Sequence, residues 1–187
     1  MATRRTQAER SASTQHALIE AAIESLVERG WAATTAVEVC QRAGVTRGAL
    51  MHHVPDLSSL LARALETVYQ GIRVEPPDTL VGFVDTVEEA VTNPRFVAVI
   101  EAWMAAGNDP ELAQEIGPAI SRFAKLIDPS ERLGDLGVDA VTFCYTARET
   151  AIGLALGRAV TGDAVGHEEL VFDDLRARAT ELDRTRS

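Results

Sequence analysis

Between Ala43 and Leu61 the run Ala-Gly-Val-Thr-Arg-Gly-Ala-Leu-Met-His-His-Val-Pro-Asp-Leu-Ser-Ser-Leu-Leu gathers an arginine, two histidines and two glycines into one short stretch. The chemistry open to these groups is recognition of a base edge. Arg47 can donate two hydrogen bonds to a guanine, Ala49 can touch a thymine methyl, and Gly48 lets a helix approach a groove closely. His52 could reach a base edge or a phosphate. Covalent and acid–base chemistry lacks its residues, because no clustered carboxylates, Ser–His or Cys–His arrangement, metal spacing or phosphate loop is seen. An enzyme is therefore not expected. Cys40 and Cys144 lie far apart in apolar surroundings, and Cys40 reads as a small buried hydrophobe rather than a redox switch. Of the four histidines only His52 and His53 are adjacent, and neighbours on a helix point about 100° apart, a poor chelate. No metal or cofactor is called for.

Recognition of this kind needs a short helix held at a fixed angle, and the flanking residues punctuate one. Thr14 to Arg29 sets Leu18, Ala22 and Leu26, with Ile19, Ile23 and Val27 alongside, on a broad apolar stripe at helical spacing, and Gly30 ends it. The Thr34-Thr35 pair offers an N-cap for a helix over Val37 to Ala43, with Val39, Cys40 and Ala43 inward. Gly44 stops that helix, Val45 packs into the angle, and Thr46 caps the next. In that third helix Leu50 and Val54 form the anchored face, leaving Arg47, Gly48, Met51 and His52 outward or sideways. Pro55 closes it. Asp56 caps a fourth helix from Leu57 to about Ile72 whose Leu60, Leu61, Ala64, Leu65 and Val68 bind it to the first three. A three-helix helix-turn-helix head results.

After the Pro76-Pro77 break the chain reads as helix throughout. Leu80, Val84, Val87 and Val91 mark one helix, and Phe96, Val97, Ile100, Trp103 and Met104 mark the next. Asn108-Asp109-Pro110 starts another, which Pro118 either kinks or splits. Between Ala140 and Gly157 only Arg148 and Glu149 are charged. Two central charges argue against a membrane span there. A helix covered on one side by its own body and on the other by a partner subunit fits better. Glu168 to Leu182, with Leu170, Val171, Leu175, Ala179 and Leu182, is the last helix. Two such C-terminal helices per chain suit a four-helix dimer contact, for which Ile152, Gly153, Leu156, Gly157, Leu175 and Leu182 are the candidate residues. A ligand pocket needs apolar walls and a few polar groups. Trp103, Met104, Phe123 and Phe143 are candidate walls, and Tyr145 and Arg148, or Glu149, candidate handles. Arg148 and Glu149 bind a polar ligand or pair across the dimer.

The expected fold is all-α, a helix-turn-helix head on a larger helical-bundle body, about nine helices in all. The expected division is a flexible basic arm over 1–12, a DNA-binding domain over 13–56, a connecting helix over 57–74 and a sensing and dimerisation domain over 75–187. The net charge of −10 at first argues against nucleic acid. Up to Glu75, however, eight arginines balance eight acidic residues, so the excess acid lies in the body and a DNA contact at one end stays compatible. The first residues are basic but lack the apolar core of a signal peptide, and a cytoplasmic location is expected.

Leu18-Ile19 with Ala21-Ala22, Gly30-Trp31, Thr34-Thr35, Val39, Ala43-Gly44-Val45-Thr46, Gly48, Leu50, His53 and Leu60 together resemble the N-terminal pattern of the TetR family of transcriptional regulators. The resemblance spans about a quarter of the chain, and the remainder is similar in helical character and length. It implies a homodimer with two heads on successive major grooves of a near-palindromic operator, usually a repressor released by a small molecule in the body. Met51 and Leu57 depart from the pattern, where members carry Tyr and Lys that face phosphates, and Val54 stands where an aromatic is usual. Losing two phosphate contacts per head weakens generic affinity. The anchors the resemblance leaves are Thr35, Thr46, His53, the backbone amides at the start of the fourth helix, and Arg4 and Arg5, which would compensate. The alternative is a helical small-molecule-binding dimer whose DNA binding is weakened or lost.

Overall fold

The computed structural model describes residues 6–72, 77–126, 136–162 and 166–186, and these form nine helices and no strand. The architecture is the all-α one expected. The helices fall into two compact units. One contains the described residues up to Gly71 together with Glu101–Ala119, and the other Ile72–Ile100 with the described residues from Ile120 onward.

In the first unit α1 (Gln7–Arg29) is longer than the apolar stripe alone suggests. Thr6 accepts from the Glu9 amide at 3.2 Å, and the Glu9 carboxylate accepts from the Thr6 amide at 2.7 Å. That reciprocal capping box satisfies two orphan donors and starts the helix inside the span read from sequence as a flexible arm. Arg4 and Arg5 lie outside the described residues. The buried face of α1 comprises Leu18, Ala21, Ala22, Ile23, Ser25 and Leu26. Its one polar member is satisfied. Thr34 gives its hydroxyl proton to the Gly30 carbonyl at 2.9 Å and so accepts from Ser25 at 3.0 Å. Thr34 is thus a buried tie, and Thr35 alone caps α2 (Ala36–Ala43), accepting from the Glu38 amide.

Gly44 takes the left-handed conformation that ends α2, φ 66°, and the Val45 amide reaches back to the Cys40 carbonyl at 3.0 Å. Thr46 then caps α3 (Arg47–His53) by accepting from the Ala49 amide at 3.2 Å. Val54 ends it in extended conformation, as a residue before proline must. Asp56 accepts from the Ser59 amide at 2.8 Å and starts α4 (Leu57–Gly71), whose Leu60, Leu61, Ala64, Leu65 and Val68 are buried. α4 packs on α1.

α6 (Phe96–Ala106) and α7 (Pro110–Leu126) cross the division between units. α7 runs unbroken through Pro118. The segment from Glu101 is joined to the first unit by two bonds: the Trp31 amide donates to Glu101 at 2.8 Å, and Trp103 Nε1 donates to the Tyr69 hydroxyl at 3.2 Å. Burial pushes the Tyr69 phenol up to about 12, against the Trp103 bond.

In the second unit α5 (Leu80–Thr92) packs on α8 (Gly137–Thr161) and α9 (Glu168–Arg186). Three polar ties fix them. Asp183 accepts from the Leu80 and Val81 amides at the start of α5, where a negative charge is favoured. Arg158 donates to the Val91 carbonyl at 2.8 Å and to Glu168 at 2.7 Å. Arg176 pairs with Asp85 and Glu88 on α5.

Candidate nucleic-acid interface

The orientation of α3 follows from which of its residues the protein needs. Leu50 and Val54 are buried, four apart, and pin one side. Arg47, Gly48, Met51 and His52 are exposed, as the spacing predicts, while Ala49 and His53 are half-buried. Gly48 is not demanded by the fold: a Cβ there would meet only the Thr46 hydroxyl, at 3.8 Å. Gly48 is the second residue of α3, and its low helix propensity is not offset by any close packing around it. Thr35 and Thr46 spend their lone pairs on cap bonds, which leaves each hydroxyl proton free to donate outward.

The arginines of the head sort into two groups. Arg29 pairs with Glu38 at 3.0 Å, and Arg42 pairs with Glu28 at 2.8 Å, Glu38 at 3.3 Å and Glu24 at 3.5 Å. The Arg29 hydrogen bond, helped by Arg42 and opposed by desolvation, holds the Glu38 carboxyl below its usual range. These two cations are neutralised where they stand. Arg47 has no ion pair among the described residues, and Arg63 donates to the His53 carbonyl at 3.3 Å, tying α4 to the last turn of α3. Burial raises the Cys40 thiol while the nearby Arg47 charge pulls it back, and both cysteines are buried. The rings of His52 and His53 meet edge to face, centroids 5.5 Å apart. No cluster of three metal-binding side chains occurs among the described residues.

The ligand candidates are divided between the two units. Trp103 is half-buried and bonded to Tyr69, and Phe143 is buried. Met104 is 59 % exposed, so it is not an interior wall of its unit. Tyr145 is 56 % exposed, with the Arg148 guanidinium 5.0 Å above its ring and bonded to Glu149 at 2.7 Å. Both handles therefore lie on the outer face of α8, because the helix turns its alanines and Phe143 inward. The Phe123 side chain lies outside the described residues.

The dimer candidates divide similarly. Gly153 and Leu156 are exposed, and Ile152, Gly157 and Leu182 half-buried. Leu175 is only 5 % exposed and is packed within its own unit. Val138, Val141 and Val160 are exposed apolar residues not anticipated as interface candidates. Their spacing to Tyr145, Ile152 and Leu156, steps of three and four with one longer gap, was the available signal. No helix among the described residues is long and apolar enough to cross a membrane.

Residues 18–64 match the family model described as bacterial regulatory proteins, tetR family. Over 129 residues the chain is 34% identical to the HTH-type transcriptional regulator CymR of Pseudomonas putida, a match covering 64% of each chain. The match thus spans less than two thirds of that relative's length. Among solved structures, Salmonella enterica GusR superposes with a TM-score of 0.69 at 17% identity, covering 97% of this chain and 100% of that one. The multidrug binding protein EbrR complexed with imidazole gives 0.59 at 18%, covering 90% and 94%. Residues 18–64 thus match the N-terminal model of the tetR family, on an all-α fold that the chain shares with solved structures described as TetR-family regulators.

Proposed function

We propose that the protein is a homodimeric transcriptional regulator that binds a near-palindromic operator through α3 and acts as a repressor in the cytoplasm. The observation that carries this reading is the state of Arg47: exposed, without an ion pair among the described residues, and at the head of a helix whose opposite side is pinned by Leu50 and Val54. Gly48 next to it serves no internal packing, which suits close approach to a groove. Thr35, Thr46 and His53 would hold phosphates, with Arg4 and Arg5 reaching further along the backbone. The exposed apolar side of α8 would face the same side of a second copy, and the body would bind a small molecule that releases the operator, the CymR and EbrR likenesses supporting regulation and ligand binding respectively.

A second reading, a helical ligand-binding dimer without DNA function, is favoured by Met51 and Leu57, neither of which can hold a phosphate. Footprinting on DNA flanking the protein's own gene, at two salt concentrations, separates the two. A protected near-palindrome with half-sites about one helical turn or somewhat more apart supports the regulator. No protection at low salt refutes it.

A further inference from the structure

Met51 is a large apolar side chain standing 53 % exposed on a short helix otherwise anchored by Leu50 and Val54. It lies one turn after Arg47, so the two share the outer face of α3. We infer that Met51 is a specificity-determining residue that reads a thymine by covering its C5-methyl group. This rests on the proposal that α3 enters the major groove.

The argument is chemical. A thioether cannot donate to a phosphate and accepts hydrogen bonds weakly, so Met51 gains on binding DNA only by leaving water against apolar surface. The apolar feature of the major-groove floor is the thymine methyl. An unbranched side chain with several rotatable bonds can reach and cover it. Ala49, the other small apolar residue of the helix, is half-buried and its amide is held by Thr46, which leaves it less reach. Four residues of helix rise about 6 Å, and base pairs stack about 3.4 Å apart. The thymine should therefore fall about two base pairs from the guanine that Arg47 contacts.

The test replaces each thymine of the footprinted half-sites, one at a time, by deoxyuridine, which removes the methyl and leaves every hydrogen-bonding group. Wild-type protein should lose about fourfold in affinity at one position per half-site, and about fifteenfold when both half-sites carry the change, the worth of one buried methyl each. Met51→Ala should bind thymine and deoxyuridine operators equally, while Met51→Leu should keep the discrimination. Uniform tolerance of deoxyuridine by the wild type overturns the inference, as does undiminished discrimination by Met51→Ala. Failure of the wild type to bind any duplex would be seen before a base is replaced, and overturns the DNA-binding reading on which this one stands.

Discussion

Gly30→Ala is expected to damage the head more than any surface position near it. Gly30 ends α1 at φ 74°, ψ 177°, a region open in practice to glycine alone, and forcing an alanine there costs about 1–3 kcal/mol. Its Cβ would also stand 3.2 Å from Oε2 of Glu101. The carboxylate can swing away, but doing so withdraws the acceptor from the Trp31 amide, now 2.8 Å from it. Both groups are half-buried, so water recovers part of that loss and about 1 kcal/mol is a fair figure for a charge-assisted bond at such a site. Together the cost is about 2–4 kcal/mol, or roughly 5–15 °C in melting temperature for a chain of this size. The protein has two tryptophans, Trp31 and Trp103, and both lie in the first unit, so intrinsic fluorescence during urea unfolding reports on the affected region. Glu101→Ala alone should cost about 1 kcal/mol, and the double variant should cost less than the two singles added, because the contact is then absent. A Gly30→Ala protein within about 0.5 kcal/mol of wild type would refute the backbone argument. Strict additivity would refute the contact.

Other outcomes follow from the same geometry. Arg47→Ala should weaken operator binding by about 1–3 kcal/mol per half-site and relax the preference at one base pair, with the melting temperature unchanged because Arg47 is exposed and makes no ion pair among the described residues; a binding selection beside a thermal melt checks both. Leu156→Glu, on the exposed side of α8, should weaken self-association by at least about 3 kcal/mol, roughly a hundredfold or more in Kd by sedimentation, while leaving the helical content intact. Folded Tyr69 keeps its proton up to about 12, whereas an unfolded tyrosine releases it near 10. Between those values the unfolded state holds fewer protons, so stability falls as pH rises, by about 2–3 kcal/mol across the window. Urea titrations from pH 9 to 12 should show that fall in the wild type and a smaller one in Tyr69→Phe.

The head was legible because its information is local. Caps at Thr35, Thr46 and Asp56, the stop at Gly44, and the i, i+4 pair Leu50 and Val54 act within one or two turns, so reading them in order gives both the helices and the outward face of α3. The start of α1 was equally local, in Thr6 and Glu9, but the eye for apolar periodicity passes over a polar capping box. The candidate pocket was less legible for the opposite reason. A side chain serves as wall or handle of an interior pocket only if the chain folds it inward, and Met104, a candidate wall, and Tyr145, a candidate handle, are both exposed.

By itself, then, the amino-acid sequence determined the helix-turn-helix, its caps, the outward face of α3 and the apolar length of α8. Those depend on backbone preferences and helical spacing, which each residue carries with it. Only the tertiary structure decided that Arg29 and Arg42 are neutralised while Arg47 is not, that Glu101 takes the Trp31 amide seventy residues away, that Asp183 caps α5, and that Leu175 is interior while Leu156 is not. Each of these is a pairing between distant parts of the chain, and no periodicity states which partner a side chain will meet once the helices are packed.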